Sequence, residues 1–303
     1  MIADGSAHRK RLNYMASSID RNSMTTLQSK SPTDLEFAPR RLEFDLEEAL
    51  AGDWHGGNAF RTAYFNALST LFPIGEKFFI DTVRYYRDQI DDPRLLKEMK
   101  EFQGQEAIHR LEHQRYNETF CRLRGYDLEL IEDKLRARLE WAHREISPLR
   151  QLAGTVAYEH LTAIMADDML RHDDVMRDAN PAIAQLWRWH GIEETEHKSV
   201  AFDVYIAVGG TAKVRRIALL MNSCFFFKDV FRITWYMLKV DGKQWQPRVW
   251  LSAVNFMLGK PGILRRGLFS YLSFFRKSFH PWQHDNRNLI ENWNNQQLTP
   301  NHS

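Results

Sequence analysis

Cysteine is scarce in this sequence, and glycine and proline are few. Its 303 residues include only two cysteines, Cys121 and Cys224, which lie far apart and form no CxxC pair. These cysteines make no disulfide framework, and a reducing, cytoplasmic setting is expected. Fifteen glycines and ten prolines supply few turn signals, which favours a helical protein over an all-β one.

Long hydrophobic runs are also missing. No stretch of about 18 apolar residues occurs, so no transmembrane helix is predicted. The first twenty residues lack the apolar core of a signal peptide. With 44% hydrophobic and 26% charged residues, the composition is that of a soluble globular protein.

Acidic residues are nearly absent from one part of the chain. Thirteen lysines and arginines lie between Val204 and His280, where Asp229 and Asp241 are the only acids. Since the whole chain carries a net charge of +2, the remainder is net acidic. Such a split often marks a surface that meets an anionic partner; nucleic acid is not among the partners we expect.

Composition divides the chain into four parts. Residues 1–38 are polar without periodicity and are predicted to be a disordered or loosely docked tail. Residues 39–210 contain four long amphipathic helices and one connecting helix. Residues 211–282 form a basic, aromatic helical module, and residues 283–303 form a polar tail.

Breaks rich in glycine or proline set the predicted helix bounds. Asp92-Pro93 and Asn180-Pro181 are conventional helix starts. The predicted bundle helices are 58–90, 93–125, 127–147, 149–179 and 181–207, and the module helices are 213–240, 247–259 and 262–279.

Two Glu-x-x-His tetrads carry the chemistry. Glu106 and His109 lie on the second predicted helix, and Glu194 and His197 lie on the fifth. Positions i and i+3 share one face of a helix, so each tetrad directs a carboxylate and an imidazole into the same space. Short motifs of this kind often arise by chance, and the pair needs supporting residues elsewhere.

Two glutamates in apolar surroundings supply that support. Glu76 and Glu159 lie alone on the first and fourth helices. The order is lone glutamate, tetrad, lone glutamate, tetrad, which is the ligand pattern of di-iron and di-manganese carboxylate bundles. We therefore predict an all-α fold: a ferritin-like four-helix bundle with a crossover helix and an added C-terminal helical module. A third tetrad, Glu140 to His143, has no lone partner and is predicted to lie on the surface of the crossover helix.

Several stretches resemble a bacterial family described as predicted metal-dependent hydrolases. The resemblance extends over about residues 40–282 and implies a ferritin-like, metal-binding protein. The stretches that carry it are Phe-Pro-Ile-Gly-Glu at 72–76, Gly-Gln-Glu-Ala-Ile-His-Arg-Leu-Glu-His at 104–113, Glu-Glu-Thr-Glu-His-Lys-Ser-Val-Ala-Phe-Asp at 193–203 and Phe-His-Pro-Trp at 279–282.

A second resemblance concerns His190. The series His190, Glu194, His197 resembles the last metal-binding helix of di-iron arylamine N-oxygenases, which implies an added histidine ligand. His113 lies one turn after His109 and is a further candidate on the same argument. The alternative for both is a histidine behind the ligands or in the core.

The ligand set predicts two bound metal ions. Glutamate and histidine without cysteine favour iron, with manganese as the other choice, over a structural zinc site. By analogy with ferritin-like proteins, we place first an oxidase or oxygenase that acts with dioxygen on a small organic substrate. The alternatives are a hydrolase that uses a metal-bridging hydroxide and, less favoured, a metal store.

The module has the composition of an interfacial helix group. Its apolar runs are rich in phenylalanine and lie between basic pairs such as Arg265-Arg266 and Arg276-Lys277. Residues 213–279 are therefore a candidate for peripheral contact with the inner face of a membrane. The alternative is that they pack on the bundle and extend its core. A homodimer is a further expectation.

Overall fold

The described chain is helical apart from its turns and connecting segments. The computed structural model describes residues 28–298 and contains no β-strand in that range, so the predicted all-α class is confirmed. Its α-helices are α1 (Ala59–Arg84), α2 (Pro93–Arg124), α3 (Leu128–Glu145), α4 (Pro148–Arg171), α5 (Pro181–His197), α6 (Val200–Ala207), α7 (Ala212–Val240), α8 (Pro247–Leu258), α9 (Ile263–Ser273) and α10 (Arg287–Leu298).

Polar residues and prolines fix where the helices begin. The side chains of Asn58, Asp92 and Asn180 each accept a hydrogen bond from a backbone amide in the first turn of α1, α2 and α5. These caps satisfy N–H groups that have no partner within the helix. Pro93 occupies the first position of α2, where its missing N–H costs nothing. Gly125 caps the end of α2, and its φ of 70° lies in the left-handed region that favours glycine.

Four helices form the bundle. α1 lies along α2, α4 lies along α5, and contacts of α2 with α5 and of α1 with α4 close the ring. α3 joins the two hairpins and packs mainly on α1. This is the predicted order of hairpin, crossover and hairpin, and its interior holds the main hydrophobic core.

The predicted helix 181–207 is interrupted. α5 ends at His197 and α6 begins at Val200. At the break, the Lys198 ammonium donates to the His284 carbonyl and to Asn286 Oδ1. The Ser199 hydroxyl is held by Ser31 and by the indole of Trp282. These long-range bonds, which periodicity does not reveal, hold the bend.

Residues 28–58 form a segment that we call the strap. The strap lies against α2 and α5: Ser29 bonds to Glu98, and Phe44 contacts the Trp189 ring. At Gly104 a Cβ atom would lie 2.5 Å from Pro39, so glycine permits this close approach. Of the predicted N-terminal tail, residues 1–27 lie outside the described residues, and residues 28–38 belong to the strap.

The basic module packs on the bundle. α7 lies along α4 and α1, α8 contacts α1, and α9 contacts α4 and α8. Arg215 of α7 is buried and donates to the carbonyls of Phe274 and Arg276, which fastens the end of α9 to α7. The region predicted as a polar tail contains α10, whose Trp293 packs with Trp189 of α5. None of the helices among residues 28–298 combines the length and the apolarity that a bilayer crossing requires.

Candidate metal centre

All six predicted ligands point into the interior of the bundle. α1, α2, α4 and α5 each contribute at least one of them. Each residue is at most 3% exposed to solvent. The six are Glu76, Glu106, His109, Glu159, Glu194 and His197.

Five of these six residues, together with His190, form two groups of three. Within each group the donor atoms lie no more than 4.8 Å apart. Glu159 belongs to neither group, but its Oε2 lies 3.7 Å from His197 Nε2. The first group is Glu76, His109 and His190, and the second is Glu106, Glu194 and His197.

Glu194 joins the two groups. Its Oε1 lies 3.1 Å from His190 Nε2, 3.7 Å from His197 Nε2 and 3.9 Å from His109 Nδ1. One carboxylate therefore reaches histidines of both groups. This arrangement suits two neighbouring metal ions that share a carboxylate.

Unpartnered polar atoms show that a metal pair fits this donor set. Both carboxylate oxygens of Glu76, Glu106 and Glu159 are buried without a hydrogen-bond partner, as are His109 Nδ1 and His197 Nε2. Leaving a buried polar group unsatisfied costs about 1–3 kcal/mol. So many such atoms converging on one space call for a cation.

The carboxyl groups of the centre differ in acidity. Burial, followed by the charge of neighbouring carboxylates, raises the pKa of Glu76, Glu106 and Glu159 well above its usual value. Burial acts on Glu194 in the same direction, but the neighbouring imidazoles of His190 and His197, 3.1 and 3.7 Å away, outweigh it and hold its pKa well below normal. Negative charge in the metal-free protein is therefore concentrated on the residue that joins the two groups.

A carboxylate lies behind His109. Its Oε2, from Glu193, is 3.0 Å from His109 Nε2 without hydrogen-bond geometry, and His109 Nδ1 faces Glu106 and Glu194 at 3.8 and 3.9 Å. Glu193 in turn accepts hydrogen bonds from the backbone N–H and the guanidinium of Arg40 and from the Trp189 indole. A carboxylate behind a ligating histidine fixes its tautomer and raises its basicity.

His197 is oriented through an amide. Its Nδ1 lies 2.9 Å from Gln105 Oε1, and Gln105 Nε2 donates to Glu196 Oε2 at 2.8 Å. Because a carboxylate only accepts, Glu196 fixes the amide orientation. His197 must then donate from Nδ1, and its Nε2 lone pair faces the centre. Glu196 is also paired with Arg40, so one strap residue supports both histidines.

A buried chain of hydrogen bonds fixes His190. Asn117 donates to the Ser69 carbonyl and accepts from the Ser69 hydroxyl. The hydroxyl oxygen therefore accepts from His113 Nδ1, and His113 Nε2 accepts from His190 Nδ1. His190 Nε2 is left with a lone pair that faces a Glu194 oxygen at 3.1 Å. Two acceptors at this distance repel each other unless a cation or a proton lies between them.

The structure separates the two candidate histidines. His190 stands in the first ligand group, whereas His113 stands behind it with both ring nitrogens engaged. The surface tetrad lies apart, because Glu140 and His143 are exposed on α3. Sequence reasoning missed Arg40, Gln105, Glu193 and Glu196, although a run of three glutamates beside His197 in a buried helix was a usable signal.

An apolar cavity of about 290 Å³ reaches the centre. Its wall includes His190 and Glu194, and apolar side chains of α1, α4, α7 and α9 form most of the rest. Thr162 also lines it and donates a hydrogen bond to Glu194. The centre is therefore accessible to a small organic molecule.

Comparison with known proteins bears on the family of the chain. A search of curated proteins found no match, and neither did a search of solved structures, so the likeness to ferritins and to N-oxygenases stays a prediction. The model of a family described as predicted metal-dependent hydrolase matches residues 38–285. That match covers most of the chain, and the protein belongs to the predicted metal-dependent hydrolase family.

Proposed function

We propose that the protein is a metal-dependent hydrolase with two adjacent metal ions. The observation that carries this proposal is Glu194, whose carboxylate reaches both ligand groups beside an apolar cavity. The ligands we propose are Glu76, His109 and His190 for one ion and Glu106, Glu194 and His197 for the other, with Glu159 next to the second.

The family description changes the order of the candidate reactions. A pair of bound metal ions polarises a substrate carbonyl or phosphoryl oxygen and lowers the pKa of water to about 7. The same donors also suit dioxygen chemistry, which the sequence led us to place first. The family description supports hydrolysis instead. The apolar cavity at the centre argues against a metal store, which needs no room for an organic molecule.

The metals that we propose are iron or manganese. All donors are carboxylate oxygen or imidazole nitrogen, and neither cysteine belongs to the site. Such donors suit iron and manganese, whereas thiolates would favour zinc or iron–sulfur clusters.

Residues of the chain hold the reacting end of the substrate in place. The cavity wall includes the proposed ligands His190 and Glu194, so a group to be cleaved would lie there with the remainder of the molecule along α4. Thr162 fixes the position of the Glu194 carboxylate from the same wall. The low exposure of the ligands keeps bulk water away and strengthens their electrostatic interactions.

Reconstitution tests this function. Metal-free protein is loaded with iron(II), manganese(II) or zinc(II) under argon and assayed against ester, amide and phosphoester panels. Metal-dependent hydrolysis without oxygen, lost in Glu194→Ala and kept in the surface control Glu140→Ala, is the expected result. If product forms only when dioxygen is present, the protein is an oxidase or oxygenase and the proposed hydrolase function is wrong. Absence of turnover with every metal and every substrate would overturn the proposal.

A further inference from the structure

The cavity beside the metal centre is elongated and open at one side. Its wall includes both Thr162 and Asp168 of α4, and six residues of helix rise about 9 Å. Phe227 of α7 and Leu264 and Leu268 of α9 line the cavity and are also exposed. The cavity therefore extends from the ligands along α4 and reaches the surface between α7 and α9.

Most side chains in the cavity wall are apolar, and few are charged. Neither lysine nor arginine lines it in the described part of the chain. Asp168, at the end away from the centre, lies 3.6 Å from Arg266 and 3.7 Å from His172. The wall thus has no free cation for a phosphate or a carboxylate, whereas an apolar chain would remove apolar surface from water along its length.

We propose that the cavity binds the hydrocarbon chain of a lipophilic ester or amide, with its carbonyl at His190 and Glu194. This assignment rests on the proposed hydrolase function. In the reaction, the acyl C–O or C–N bond breaks, the hydroxyl of water is added to the acyl carbon, and the proton of water goes to the leaving alcohol or amine. The products are a carboxylic acid and an alcohol or amine.

Substrate length and two variants of α9 test the assignment. Leu268 lines the cavity and is 50% exposed, whereas Leu272 does not line it and is 51% exposed. Leu268→Trp narrows the opening, and Leu272→Trp is the matched control. The metal-loaded proteins are assayed with p-nitrophenyl acetate, butyrate, hexanoate and octanoate. Binding of methyl ketones of the same lengths, which cannot be hydrolysed, is measured by calorimetry.

Each methylene that enters the cavity should strengthen binding about fourfold. The affinity for methyl ketones should therefore rise with chain length in the parent protein and in the control Leu272→Trp. It should not rise with chain length in Leu268→Trp. Affinity independent of length, or equal behaviour of the two variants, would overturn the assignment even if short esters are hydrolysed. Tight binding of long ketones without hydrolysis of any ester would support the cavity and overturn the hydrolase function.

A different observation concerns the outer surface of the module. Of eighteen large apolar side chains that are exposed in the described residues, fourteen lie between Ile217 and Leu272. Exposed apolar side chains are therefore concentrated on the module. Thirteen of the fourteen lie on α7, α8 and α9 and form outward stripes at helical spacing, such as Leu251, Val254 and Leu258 on α8. A surface of this kind marks an interaction site.

The charges around the stripes specify the partner. Lys213, Lys228, Lys260, Arg276 and Lys277 are exposed, as are other bases of the module. Its two acids are engaged inside the protein: Asp229 is buried and pairs with Arg138, and Asp241 pairs with Arg124. The face is therefore apolar and positive, which is the composition that docks on anionic lipid.

We infer that the outer face of α7, α8 and α9 docks on an anionic lipid surface. Arg215 and Arg266 take no part, because Arg215 holds backbone carbonyls and Arg266 pairs with Asp174. The cavity opens on this same face, so a lipophilic molecule could enter from the lipid.

Vesicle sedimentation tests the docking face. The probe is phosphatidylcholine vesicles with and without phosphatidylglycerol, at low and high salt. Phe269, which is 83% exposed, is changed to serine, and Trp141→Ser on α3 is the control. We expect salt-sensitive binding to the anionic vesicles, about tenfold weaker in Phe269→Ser and unchanged in the control. Absence of binding at low salt, or a homodimer that buries this face and ignores vesicles, would overturn the inference.

Discussion

Replacement of Arg40 should weaken metal binding although Arg40 is not a metal ligand. It lies in the strap, outside the bundle, yet its guanidinium pairs with both Glu193 and Glu196. Burial raises the pKa of these two carboxyl groups, and Arg40 opposes that rise. In Arg40→Met the guanidinium is lost, and only the Arg40 backbone N–H, Trp189 and Gln105 remain as hydrogen-bond donors to the two carboxyl groups. Both groups then take up protons more readily and support His109 and His197 less well.

The expected loss of metal affinity follows from the two ion pairs of Arg40. Loss of a group behind a metal ligand typically weakens metal binding by about 10–100-fold. Since Arg40 supports two ligands, we expect the upper end, about 100-fold or 2.7 kcal/mol. Competition with a fluorescent chelator, under argon for iron(II), measures this affinity.

Arg94 provides the matched control. Its side chain is 31% exposed against 27% for Arg40, and it also ties the strap to α2, through Glu98 and the Pro32 carbonyl. Arg94→Met should lower the melting temperature of the metal-free protein without weakening metal binding. The reasoning fails if Arg40→Met binds metal as tightly as the parent, or if both variants lose affinity equally.

Three further predictions concern the centre itself. Glu194→Ala should lose both metal ions, since Glu194 joins the two groups, while Glu140→Ala should keep them. Metal analysis after gel filtration measures the content of each variant. Two ions retained in Glu194→Ala would contradict the assignment. His190→Ala should retain about one ion, on the group that lacks His190; an unchanged content of two would make His190 a supporting residue. Metal affinity should rise with pH, because the glutamates of raised pKa hold protons that metal binding must release. Calorimetry in buffers of different ionisation enthalpy should detect this release, and pH-independent affinity without it would refute the prediction.

Local signals in the sequence predicted the helices and identified the candidate metal ligands. Asp92 and Asn180, each before a proline, marked helix starts that the structure also has. Spacing along α2 and α5 predicted that each Glu-x-x-His pair would share a face. These features depend on residues within a few turns of one another, which periodicity reports directly.

Contacts between distant segments were not predictable in this way. Arg40 lies 153 positions before Glu193, in a strap with no periodicity. The break after His197 depends on Ser31 and Trp282, which no local pattern connects to it. The composition of residues 213–279 left packing on the bundle as an alternative to membrane contact, and the cavity beneath α7 is made by side chains of several helices together.

The bend after His197 also bears on the timing of assembly. Its partners come from residue 31 on one side of the sequence and from residues 282–286 on the other. A nascent chain that has just completed α5 has its ligands but not the bonds that hold the end of that helix. We therefore expect metal loading to be a late event, after the segment near Asn286 has left the ribosome, and the metal-ready centre to be a property of the finished chain.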